Sequence, residues 1–189
     1  MLTREGLPVV TWEVVREIER QKIQAGERVP ILLEEWHDQI RRKNPVFGRL
    51  LNSIGLKYDH RGRELFSQGL PSIPAKSFTG ELVTNHIILE MQGTKTNGNY
   101  KGLPQVKPGV LEEFSFQMGL LEENLEAITS WMEEIEAENP VFAEYIFRRS
   151  KLYENPEYMK GSDREILIEM ICNYALLKKQ AAVDKIMLN

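Results

Sequence analysis

Glu34 and His37 form a Glu-x-x-His element. On a helix that spacing puts a carboxylate and an imidazole on one face. Doubled, and joined by two further glutamates, it holds a pair of iron or manganese ions inside a four-helix bundle. The positions that match these two further along the chain are Thr129 and Met132, so the second element is missing and His37 reads as a histidine at the edge of an apolar stripe. His86 and Glu90, four residues apart, would be neighbours on a helix and would share a face of a strand; a structure-stabilising contact is the expectation for either. His60 stands in Asp59-His60-Arg61-Gly62-Arg63, which reads as a solvated polar turn. Cys172, the single cysteine, lies in the most apolar stretch of the chain and reads as a packing thiol. No Gly-x-Ser-x-Gly, Ser-x-x-Lys, Walker or Gly-x-Gly-x-x-Gly pattern occurs. No catalytic residue, metal ligand or cofactor is therefore assigned, which leaves enzymatic activity unsupported.

The stronger lead is basic. Lys95, Lys101 and Lys107 flank Asn97-Gly98 with Tyr100 between them, and Arg61 and Arg63 precede them. Cations around a ring that can stack suit a phosphate backbone. These six residues are the candidate macromolecule-binding set. Against nucleic acid stands the charge elsewhere: the net charge is −4, but residues 41–107 hold eleven Lys/Arg against four Asp/Glu, while residues 108–189 hold eight against sixteen. The basic segment thus has an acidic counterpart within its own chain, and the acidic helix described next is its expected partner.

The elements that must position these residues are mainly helical. From Val110 to Glu138, Leu111, Phe114, Met118, Leu121, Leu125, Ile128, Met132 and Ile135 alternate spacings of three and four, the seam of one long helix packed along its length. Nine glutamates and no lysine or arginine accompany them. Parallel self-association through that seam would oppose like charges, so an internal packing role is expected. Trp36, Ile40, Asn44, Pro45, Val46 and Phe47 recur 95 residues later as Trp131, Ile135, Asn139, Pro140, Val141 and Phe142, with Tyr58 opposite Tyr153. Asparagine suits a helix cap and proline the first turn. The recurrence predicts two related helix, Asn-Pro, helix units over 28–59 and 123–154, the short second helix of the first unit ending near Ser53 ahead of a turn at Gly55. Thr11 is the expected cap of a first helix that stops at Gly26.

Residues 60–108, with six glycines and four prolines, read as a basic insert. Ile87, Leu89 and Met91 alternate with Ile88, Glu90 and Gln92 ahead of Asn97-Gly98, which predicts a β-hairpin; the competing reading is a helix over 81–92 capped by Thr79. Ser162 and Glu165 have capping-box spacing before a last, well-buried helix.

At 189 residues, 42% apolar and 28% charged, the chain is expected to fold as one domain without disulfides. One cysteine and no signal-like apolar run point to the cytoplasm and away from a membrane. The expectation is a mainly α bundle of five to seven helices with an internal duplication and a hairpin insert. The functional expectation is a non-enzymatic interaction or assembly protein binding another protein. A nucleic-acid-associated protein using the insert is the alternative, and a metal-dependent enzyme the third reading.

Overall fold

The computed structural model describes residues 1–71, 75–96, 101–121, 125–154 and 161–187. Within them the chain is mainly α: eight helices, α1 (Trp12–Ala25), α2 (Val29–Lys43), α3 (Pro45–Ser67), α4 (Ala75–Thr96), α5 (Pro108–Leu121), α6 (Leu125–Glu138), α7 (Pro140–Lys151) and α8 (Ser162–Met187), with a 3-10 turn at Gly26–Arg28. The β pairing among the described residues is the isolated bridge Leu2/Pro8. No helix among them is long and apolar enough to cross a membrane.

The helices pack in a pattern that occurs twice. α1 meets α2 and α4, α2 meets α3 and α4, and α3 meets α4; likewise α5 meets α6 and α8, α6 meets α7 and α8, and α7 meets α8. α4 and α8 then pack on each other, so each group of four closes on its last helix and the two last helices join the groups. Both are buried on most sides, as a helix apolar all round must be. Every residue of α4 from Gly80 to Leu89 is buried, and α8 buries Ile166, Met170, Ile171, Tyr174, Leu176 and Leu177.

Several expectations are corrected. Ile87 to Gln92 are not a strand of a hairpin but the centre of α4. Alternation misled because both faces are buried, and a continuous apolar run has no readable period. The Asn97-Gly98 turn lies outside the described residues. α3 does not stop near Ser53; it continues through Gly55 and the Asp59–Arg63 segment for 23 residues. The acidic seam is two helices rather than one. The rings of Phe114 and Trp131 stack with centroids 5.4 Å apart, whereas seventeen residues of a straight helix would separate them by about 25 Å. Splitting it raises the helix number to eight.

The asparagines of the two Asn-Pro corners also do something other than cap. Neither Asn44 nor Asn139 makes a side-chain cap bond to its own helix. Thr11 likewise precedes α1 without capping it, its hydroxyl donating to Gln92 instead. The corners themselves are tight: a Cβ on Gly48 would stand 2.7 Å from Arg41 Cγ. That close crossing of α2 and α3 explains a glycine there.

Candidate functional site

The two asparagines are latches. Asn44 Nδ2 donates to the Pro104 carbonyl at 2.9 Å, and its Oδ1 accepts the Val106 N–H at 3.0 Å. Asn139 Nδ2 donates to the Pro8 carbonyl at 2.9 Å, and its Oδ1 accepts the Val10 N–H at 2.8 Å. The segments held are Gly6-Leu7-Pro8-Val9-Val10 and Gly102-Leu103-Pro104-Gln105-Val106. Each opens on a glycine in the left-handed region, Gly6 at φ 100° and Gly102 at φ 102°, where a side chain would be strained. The next N–H, of Thr11 or Lys107, donates to Gln92 Oε1 or Gln180 Oε1 at 2.9 Å in both cases. Each asparagine thus reaches into the opposite group of helices.

Deeper in, tyrosines repeat the exchange. Tyr58 on α3 donates to Glu169 on α8 at 3.1 Å, and Tyr153, just past α7, donates to Glu81 on α4 at 3.1 Å. The aromatic neighbours match as well: His86 packs on Phe47 with centroids 4.9 Å apart, and Tyr174 on Phe142 at 5.2 Å. His86 is buried, and desolvation pushes its pKa down to about 4, against weaker opposition from Glu90. It is therefore a neutral packing ring. Burial drives the Tyr174 phenol up to about 12.

Around the two glutamates the match breaks. Glu81 is buried and takes the Arg149 guanidinium on both oxygens, Nε to Oε2 at 3.0 Å and Nη2 to Oε1. Beside it the buried Tyr145 hydroxyl donates to Glu19 at 3.4 Å. The corresponding positions on α3 are Leu50 and Ile54, which bring neither ring nor guanidinium. Glu169 faces instead a cleft of about 380 Å³ between α3, α5 and α8. Leu50, Ile54, Leu111 and Phe114 wall it, and Glu169, Cys172 and Asn173 form its floor. Lys57 Nζ stands 3.7 Å from Glu169, on a side chain 56% exposed. Burial raises the Glu169 pKa, with the Lys57 charge and the Tyr58 bond opposing, and it pushes the Cys172 thiol up to about 12. That thiol is not a nucleophile at neutral pH.

Four of the basic residues singled out in the sequence stand beside carboxylates of this chain. Arg61 pairs with Glu165 at 2.7 Å on α8, Arg63 with Asp59 at 2.5 Å on its own helix, Lys95 with Glu13 at 3.1 Å on α1, and Lys107 with Asp184 at 3.0 Å on α8. Lys101 is exposed, and Tyr100 lies outside the described residues. Among the described residues, Glu113, Glu134 and Glu138 of the acidic seam pair with another element than this segment. α8 supplies the counter-charge, Lys178 to Glu134 at 2.9 Å and Glu138 at 3.1 Å and Lys179 to Glu113 at 2.7 Å. Among the described residues no group of three or more His, Cys, Asp or Glu side chains is placed to hold a metal. His37 is partly buried, and desolvation followed by the Arg41 charge lowers its pKa.

The glutamates, Tyr145, Arg149 and Asn173 were missed from the sequence, although a signal was present. Glu81, Asn85 and Gln92 share their spacing with Glu169, Asn173 and Gln180, and Leu82, Val83, Ile88 and Leu89 stand opposite Met170, Ile171, Leu176 and Leu177. That register is 88 residues rather than 95, because α3 is longer than α7, and a search at one fixed offset passes over it. Compared with known protein families, curated proteins and solved structures, the chain finds no match.

Proposed function

We propose that this chain is a non-enzymatic binding protein that engages another protein, built on an internal duplication of a four-helix unit. The duplication is supported by the paired asparagine latches, the paired tyrosine bridges and the two glycine-led segments. The two copies differ in the helix after the Asn-Pro corner: α3 runs to Ser67, nine residues past Tyr58, whereas α7 ends at Lys151, before Tyr153.

The observation that carries the binding reading is what the extra turns of α3 display. Phe66, in the last turn of α3, is 83% exposed, and Leu70, three residues beyond the helix, is 47% exposed. An apolar ring left in water near the end of a helix suits insertion into an apolar pocket of a protein partner. Protein is favoured over nucleic acid because Arg61, Arg63, Lys95 and Lys107 each stand beside a carboxylate of this chain, which competes with a phosphate for the cation.

The test is affinity capture from the native host with the full chain and with Phe66→Asp, with and without nuclease. The proposal expects a nuclease-resistant partner that Phe66→Asp loses. Retention of every partner by Phe66→Asp contradicts it. Capture that nuclease abolishes, and that neutralising Lys101 and Lys107 weakens, favours the nucleic-acid reading.

A further inference from the structure

We propose that the cleft between α3, α5 and α8 is a binding site for a small apolar cation, an aryl or alkyl amidine or guanidine, whose head rests on Glu169. The inference is independent of the α3 extension and of any protein partner.

The first support is a reachable carboxylate in an apolar cleft. Glu169 lines the cleft with its side chain 16% exposed, and the Tyr58 hydroxyl, donating to Oε1 at 3.1 Å, holds it in place. A volume near 380 Å³ lies in the range of small-molecule sites.

The second support is what occupies the corresponding place in the other half. There stand a buried Tyr145, whose hydroxyl donates to Glu19, and the Arg149 guanidinium, which forks onto Glu81. Leu50 and Ile54 stand where Tyr145 and Arg149 would be. The open cleft lacks a ring and a planar cation and retains the carboxylate that such a cation would meet. Lys57 does not replace it: its ammonium pairs with Glu169 at 3.7 Å on a side chain 56% exposed, an ion pair weakened by water. A planar two-donor head matches a carboxylate better than an ammonium does, and Leu50, Ile54, Leu111 and Phe114 receive the apolar part.

The experiment uses the full chain and benzamidine as probe, with benzoate and benzyl alcohol as controls of the same size, followed by amide and side-chain shifts in NMR titration. Expected is saturable benzamidine binding that perturbs Leu50, Phe114 and Asn173, at least tenfold tighter than either control. It should weaken at least tenfold in Glu169→Gln and be abolished in Leu50→Tyr, which installs the ring found in the other half. Ser53→Trp, placed at the exposed mouth, blocks the cleft without touching the core and serves where Leu50→Tyr fails to fold. Benzamidine binding no tighter than benzoate or benzyl alcohol would overturn the proposal, as would binding that survives both Glu169→Gln and Ser53→Trp.

Discussion

Glu81 and Glu169 occupy corresponding places on the two central helices, each receiving a tyrosine hydroxyl from the opposite half at 3.1 Å, yet their surroundings diverge. Glu81 is buried and forked by Arg149, whereas Glu169 looks into a cleft with Lys57, on a side chain 56% exposed, 3.7 Å away. The difference arises from two positions on α7 and their partners on α3, and it shows how one scaffold can use a buried carboxylate as an internal tie in one half and leave it reachable in the other. A buried ion pair of this kind contributes little net stability over apolar packing but becomes costly once one partner is removed.

That comparison can be broken by single substitutions. Glu81→Gln should be the most damaging, because it leaves Arg149 partly buried without its carboxylate; a loss of about 3 kcal/mol is expected in urea unfolding. Glu169→Gln should change stability at pH 7 by less than ~1 kcal/mol, since its cationic neighbour Lys57 stands on a side chain 56% exposed and keeps its water when the pair is removed. Equal losses would show that the two glutamates are equivalent after all. Next come the latches. Asn139→Ala and Asn44→Ala each leave a carbonyl and a buried N–H unpaired, for about 2 kcal/mol apiece. Asn139 is the costlier of the two, being fully buried and also within 3.4 Å of the Tyr174 hydroxyl.

The paired rings separate the halves by pH. With a folded pKa near 4 and an unfolded value near 6.5, His86 resists protonation in the native state. Its contribution is fully present above pH 6.5 and is lost as pH falls toward 4, about 2 kcal/mol of it between pH 7.5 and 5. His86→Phe should flatten that part of the stability profile, and Tyr174→Phe should not alter it. The smallest effects are expected from Lys95→Ala and Lys107→Ala, whose exposed ion pairs are each worth under ~1 kcal/mol.

The starts of α3 and α7 were legible because proline in a first turn is a local signal, and so was the mainly helical character. The roles of Asn44 and Asn139 were not: an asparagine before proline reads as a cap, and nothing local records that its amide reaches Pro104 or Pro8, 60 and 131 residues away in sequence. α4 misled for the opposite reason. A helix buried on all sides loses its 3.6-residue signature, so Ile87-Ile88-Leu89 supports a strand as readily as a helix. The end of the acidic seam helix was hidden because the apolar spacing of α5 runs on into α6 without a break. The cleft depends on what Leu50 and Ile54 fail to supply, and that becomes visible only beside Tyr145 and Arg149.

The central claim is that the halves are latched crosswise, each asparagine holding the glycine-led segment of the other. Amide hydrogen exchange at Val10 and Val106 tests it most directly. In Asn44→Ala the Val106 amide should exchange much faster while Val10 stays protected, and in Asn139→Ala the order should reverse. Acceleration of Val10 by Asn44→Ala, or protection of both amides unchanged in both variants, would contradict it.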